Sequence, residues 1–242
     1  RIFVRGNLPD FSLPWIAIVG TRKAPQDAMA LAKKIATALT ENGFIIVSGL
    51  AMGIDTAAHS GALSGKGKTV AVLGNGIDTI YPAQNENLAN KILENGGAII
   101  SEYEAGTSTM PYRFLERNRI VAGLCIATIV IEAPKKSGAI VTARLAAESS
   151  REVFVFPGLA GHPQYSGSHA LIRDGARLVN SIDDILEDLS FDTQDRMSQN
   201  NLFKVTEEKI PQDIFTKNEI QTNLLQMEKL SIMPIDFYDI FS

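Results

Sequence analysis

Six short apolar runs recur along the chain, Ile16–Val19, Phe44–Val47, Thr69–Leu73, Ala98–Ile100, Ala127–Ile131 and Val153–Phe156, each closed by a turn-forming or polar residue and followed by a helix-like pattern. Runs of this length that are apolar without alternation read as strands buried on both faces, which is the signature of a parallel sheet. Between the first two, Ala28, Leu31, Ala32, Ile35 and Leu39 share one helical face while Lys33, Lys34 and Glu41 lie elsewhere, and Asn42-Gly43 supplies the stop. Strand and helix alternate, which predicts a doubly wound α/β fold with helices covering both faces of a mostly parallel sheet. In such a sheet ligands are held beyond the carboxyl ends of the strands, so the loops opening at Gly20, Ser48, Gly74, Ser101, Glu132 and Pro157 become the place to look for function.

The 242 residues suffice for one sizeable core with a small appendage. Residues 1–189 are expected to form that core, ending in a helix over Ile182–Leu189. A polar linker follows over 190–201, and then a segment over 202–242 with short apolar clusters but no complete domain pattern. No apolar run approaches the roughly 20 residues needed to cross a bilayer, and Arg1–Asp10 lacks a signal-peptide core, so a cytoplasmic protein with no membrane association is expected. One cysteine, Cys125, inside an apolar run, reads as a small buried hydrophobe. Cys125 and three scattered histidines, His59, His162 and His169, make no thiolate-rich metal set, and neither a metal nor a cofactor is expected. The net charge of −4 is uneven: residues 1–182 carry 18 Lys and Arg against 14 Asp and Glu, whereas 183–242 carry 5 against 13. A weakly basic core does not by itself specify nucleic acid; clustering must decide.

The strand-end loops supply candidates. Gly20-Thr21-Arg22-Lys23 places a glycine, a hydroxyl and two cations between a strand and a helix, a turn suited either to an anion or to a solvated Arg-Lys pair. Ser48-Gly49 opens a second such loop, in which Gly49 and Gly53 also suit close helix-to-sheet packing. Gly74-Asn75-Gly76 is a near miss to the dinucleotide fingerprint, with Thr79 in place of the third small residue and Pro82 before any helix. Arg113, Arg117 and Arg119, with Asn118 between the last two, form the densest arginine cluster; Arg113 and Arg117 share a helix face and Arg119 points elsewhere. Lys135-Lys136-Ser137-Gly138 sets two mobile cations at another strand end.

No G-x-S-x-G elbow, Walker loop or H-E-x-x-H motif is present, so serine hydrolase, P-loop NTPase and zinc-protease chemistry lack their minimum parts. Asp55 and His59 at helical spacing form either an acid–base couple or, as the simpler reading, a packed histidine and its neighbour. Glu102 and Glu132, without a nucleophile or metal, read as partners for the arginines. A phosphoribohydrolase of the lysine-decarboxylase-like Rossmann group uses the same crevice but needs a glutamate three residues after its threonine, and Thr142 is followed there by Leu145. A sensor of small phosphorylated nucleotides remains the other alternative.

Gly20-Thr-Arg22, Val47-Ser-Gly-Leu-Ala-Met-Gly-Ile-Asp55 with Ala58-His59 and Gly61-Ala62-Leu63, Tyr81-Pro82, Ser101-Glu102, Arg117-Asn-Arg119, Ser137-Gly138 with Thr142-Ala143, and Pro157-Gly158 resemble, in order and spacing, the DprA/Smf family of DNA-processing proteins, over Ile2 to about Leu189. The resemblance implies an extended Rossmann-like three-layer sandwich and a homodimer. It also implies a non-enzymatic, sequence-independent binder that protects single-stranded DNA and delivers it to a RecA-type recombinase in natural transformation. Carried over position by position, it implies a DNA pocket of Gly20, Thr21 and Arg22, the loop at Ser48 and Gly49, the block Arg117, Asn118 and Arg119, and Lys136, Ser137 and Gly138. Lys23 joins them on charge, and Tyr112 and Phe114 are the aromatic candidates for base stacking. Members of the family often carry an N-terminal helical domain and a C-terminal winged helix. The chain begins at Arg1 as though midway along an approach strand, and Leu230–Phe241 resembles only a winged helix's opening helix, so a truncated form is expected.

Overall fold

The computed structural model describes residues 1–189, which fall into two units, residues 1–180 and a second that begins at Ser181. The first runs β1 (Phe3–Gly6), β2 (Trp15–Val19), α1 (Gln26–Glu41), β3 (Ile45–Ser48), α2 (Ile54–Ser64), β4 (Thr69–Leu73), α3 (Glu86–Glu94), β5 (Ala98–Ser101), α4 (Pro111–Leu124), β6 (Ala127–Val130), α5 (Gly138–Glu148), β7 (Glu152–Val155), α6 (Ser166–Arg173) and β8 (Arg177–Leu178). The strands make one sheet in the order β1-β5-β4-β3-β2-β6-β7-β8, parallel throughout except for β1, which runs antiparallel to β5.

The chain winds outward from β2 through β3 and β4 to β5, then returns across the sheet and winds the other way through β6 and β7. Right-handed crossovers therefore place α1–α3 on one face and α4–α6 on the other, a three-layer Rossmann-like sandwich with its winding reversal between β2 and β6. Because helices cover both faces, every residue of β2 through β6 is buried, and the apolar runs stay unbroken where a half-exposed strand would alternate. Hydroxyls inside the sheet are spent locally: Ser48 Oγ donates to Ile18 O at 2.7 Å and Thr69 Oγ1 to Ile46 O at 2.7 Å.

The six expected strands form within about one residue of their expected limits. α1 ends where Asn42-Gly43 required, Gly43 taking φ +84°. The first residues, read as an approach strand, pair as β1 on the far edge beside β5, with Phe3 opposite Ser101 and Gly6 opposite Ala98. In the second unit, residues 182–189 are helical as expected. Ser181 N donates to Asp184 Oδ2 at 3.1 Å and Asp184 N to Ser181 Oγ at 3.2 Å, a reciprocal cap. The polar linker over 190–201 and the segment over 202–242 lie outside the described residues. Among the described residues no helix is long and apolar enough to cross a membrane.

Candidate functional site

The loops following β2, β3, β4, β5 and β6 gather at the carboxyl edge of the sheet, and the first two are laced to each other. Ile54 N, at the start of α2, donates to Thr21 O at 3.3 Å. Gly53 has φ +79°, and a Cβ there would stand 2.4 Å from Thr21 O and 2.7 Å from Arg22 O, so only glycine lets α2 begin this close to the Arg22 turn. Across the winding reversal, Thr21 N donates to Glu132 O at 2.7 Å, tying the end of β2 to the end of β6.

The second loop is clamped from inside. Asp55 Oδ2 accepts Gly49 N at 3.0 Å and Ala51 N at 3.3 Å, while Arg117 donates to Gly49 O at 2.8 Å and, through a shorter contact, to Val72 O. Arg117 is 4 % exposed; a Cβ at Gly49 would meet its guanidinium at 2.4–2.6 Å, so this glycine makes room for the arginine. Burial draws the Arg117 pKa down to about 10, the nearby Asp55 carboxylate opposing that, and the residue stays charged at neutral pH. Burial likewise raises the Asp55 pKa, with Arg117 pulling it back.

These contacts engage several of the expected site residues inside the protein. Ser48, Gly49 and Arg117 face the interior, where their polar groups serve one another and the sheet. Asn118, 7 % exposed, donates Nδ2 to Gly138 O at 3.2 Å and so fastens α4 to the start of α5. Arg119 forms an ion pair with Glu102 directly after β5, as expected for that glutamate. Its site lies three strand spacings from β2, about 14 Å at 4.8 Å per strand. Glu132 departs from expectation. It is 1 % exposed, its Oε1 has no hydrogen-bond partner among the described residues, and the neighbouring hydroxyl is that of Tyr165, whose pKa is raised first by burial and then by this carboxylate.

The side chains turned outward at this edge are fewer. Arg22 and Lys23 are exposed after β2, and Lys136 is exposed after the adjacent β6, beside Ser137, whose Oγ caps α5 by accepting Ala139 N at 3.2 Å. Gly20 and Thr21 lie in the turn beneath Arg22. The Arg22 guanidinium stands over the ring of half-buried Phe114, 5.7 Å from its centroid. Tyr112 is exposed on the first turn of α4, and Arg113 lies between its ring and that of Tyr103, 5.6 and 5.0 Å from the centroids. Tyr81, named in the sequence only within the Tyr81-Pro82 block and not among the stacking candidates, is 47 % exposed, and its ring centroid lies 5.4 Å from that of Phe114. An aromatic in a strand-end loop was the available signal.

His59 is fully buried, with Nδ1 2.7 Å from Thr69 Oγ1. Its ring is a packed element, as the simpler reading held. Asp55 is occupied by loop amides. Among the described residues no group of three His, Cys, Asp or Glu side chains is placed to hold a metal ion. Cys125 is buried, which pushes its thiol pKa far up.

The family model of DNA recombination-mediator protein A matches residues 1–190. DNA processing protein DprA of Streptococcus pneumoniae is 43% identical over 190 residues, 78% of this chain and 67% of that protein. Protein Smf of Escherichia coli is 43% identical over 190 residues, 78% of this chain and 51% of that one, so the chain spans about half to two thirds of the length of these curated relatives. The X-ray structure of the Streptococcus pneumoniae protein superposes with TM-score 0.72 at 42% identity, covering 77% of this chain and 65% of that one. DNA processing protein A of Helicobacter pylori, whose structure addresses its single-stranded DNA binding mode, superposes with TM-score 0.72 at 32% identity, covering 79% and 87%. A molybdenum cofactor binding protein from Rippkaea orientalis, TM-score 0.53 at 15% identity over 74% of this chain and 96% of that one, shares the fold alone. With the family model spanning the whole doubly wound unit and relatives above 40% identity along it, this chain belongs to the DNA recombination-mediator protein A family, the DprA/Smf proteins of DNA processing.

Proposed function

We propose that the crevice at the carboxyl ends of β2 and β6 binds single-stranded DNA through its sugar-phosphate chain, without reading sequence. The observation that carries this is the pair of exposed cationic turns on adjacent strands, Arg22-Lys23 after β2 and Lys136-Ser137-Gly138 after β6, with the ring of Phe114 beneath the Arg22 guanidinium. Arg22 and Lys136 contact phosphates, and Gly20 and Thr21 shape the turn that presents Arg22. Ser48, Gly49, Arg117 and Asn118 hold the loops from below. Arg119, half engaged with Glu102, lies at the outer margin of the path. The single-stranded DNA binding mode described for the Helicobacter pylori relative supports this reading.

Beyond binding, the protein protects incoming DNA and delivers it to a RecA-type recombinase as a cytoplasmic homodimer, with no reaction catalysed on the DNA. Those steps rest on family membership. Fluorescence anisotropy with oligothymidines of increasing length tests the binding claim: log K should change by about −0.7 per phosphate neutralised for each log unit of salt. Arg22→Ala and Lys136→Ala should weaken every sequence alike, because phosphate contacts carry no base information. Undetectable or salt-insensitive binding by the parent protein overturns the proposal. RecA strand exchange on DNA precoated with single-strand-binding protein, with and without this chain, tests delivery.

A further inference from the structure

We infer that Tyr81 is a base-stacking platform of this crevice, seating a nucleobase next to the phosphate held by Arg22; the inference rests on the single-stranded DNA reading above. Phe114 is the centre of the arrangement. Its ring is wedged against the turn after β4, where a Cβ on Gly74 would come within 2.7 Å of Cδ1, so it is fixed from below. Arg22 covers it at 5.7 Å and Tyr81 packs against it at 5.4 Å with the planes inclined by 36°. The candidate aromatic Phe114 is thus already covered by two neighbours and serves as their support. Tyr81 is held on one side and 47 % exposed, a rigid ring offered to solvent at low entropic cost.

The two distances through the shared ring place the Arg22 guanidinium within about 11 Å of the Tyr81 ring, within reach of the phosphate and base of the same or adjacent nucleotides. Arrangements that grip single strands without sequence preference pair a cation on the backbone with an aromatic face for the base, because every base has a π-face. Asp78, the carboxylate of the same loop, is turned onto Gly106 N at 2.9 Å, which partly spends its charge.

The test compares a fluorescent oligothymidine with an abasic oligomer of the same length and charge, using the full chain. Tyr81→Leu should weaken oligothymidine binding roughly 5- to 150-fold, as loss of one stacked base requires, and leave the abasic oligomer unaffected. Tyr81→Phe should restore oligothymidine binding, which separates a π-face from a merely structural bulk, and melting curves of both variants confirm the fold. Arg22→Ala should weaken both ligands. If Tyr81→Leu binds oligothymidine like the parent, or weakens both ligands equally, the stacking role is overturned while the DNA reading stands. If the parent protein binds neither ligand, that reading falls first.

Discussion

Stability should fall with acid faster than it would without His59, and the structure sets the size of the effect. Thr69 Oγ1 gives its proton to Ile46 O at 2.7 Å, so toward His59 Nδ1, at 2.7 Å, it can only accept. The ring proton therefore sits on Nδ1, and Nε2 is a buried lone pair with no partner among the described residues. Removal from water, with the positive charge of Arg117 adding to it, lowers the His59 pKa from 6.5 to about 3. A histidine in the unfolded chain takes a proton below about 6.5 while the folded one stays neutral, so the neutral ring's contribution is fully present above that pH and is lost as pH falls toward 3. At about 1.4 kcal/mol per pH unit, the loss reaches roughly 2–3 kcal/mol by pH 4.5. His59→Phe keeps the ring and removes the titration. Urea unfolding of both proteins from pH 7.5 to pH 4.5 should show the parent losing that much more than the variant. Asp55 titrates in both and cancels in the difference. Parallel pH profiles, agreeing within about 0.5 kcal/mol throughout, would refute the assignment of a neutral buried ring.

Arg117→Met removes the donor to Gly49 O and Val72 O and leaves buried Asp55 without its nearby cation. A loss of about 3–5 kcal/mol follows, lowering the melting temperature by roughly 6–20 °C in scanning calorimetry, and an unchanged melt refutes the clamp. Gly53→Ala forces a Cβ onto Thr21 O in a backbone region that disfavours side chains. It should cost at least about 1–3 kcal/mol and, by displacing the Arg22 turn, weaken DNA binding as Arg22→Ala does; normal affinity in a folded Gly53→Ala protein refutes the coupling of the two loops.

Much of the architecture was legible because it is local. An unbroken apolar run such as Thr69–Leu73 states that both faces of the strand are covered, and the face shared by Ala28, Ala32, Ile35 and Leu39 with its Asn42-Gly43 stop states where α1 lies. Alternation of the two implies the doubly wound sheet, and the sheet implies the edge at which the site must form. The pairing of β1 beside β5 was not legible, since the two are more than ninety residues apart and nothing in Phe3–Gly6 specifies its partner.

Arg117-Asn118-Arg119 marks the division most clearly. By sequence it is one cationic block; successive residues on a helix point about 100° apart, and the three side chains go to the loop after β3, to the start of α5 and to Glu102 after β5. The sequence by itself determined which chemical groups arrive at the carboxyl edge, because period and composition are properties of neighbouring residues. Only the tertiary structure decided which of them are consumed in holding that edge together and which, like Arg22 and Tyr81, stay available, because a charge or a ring is neutralised by partners that are distant along the chain.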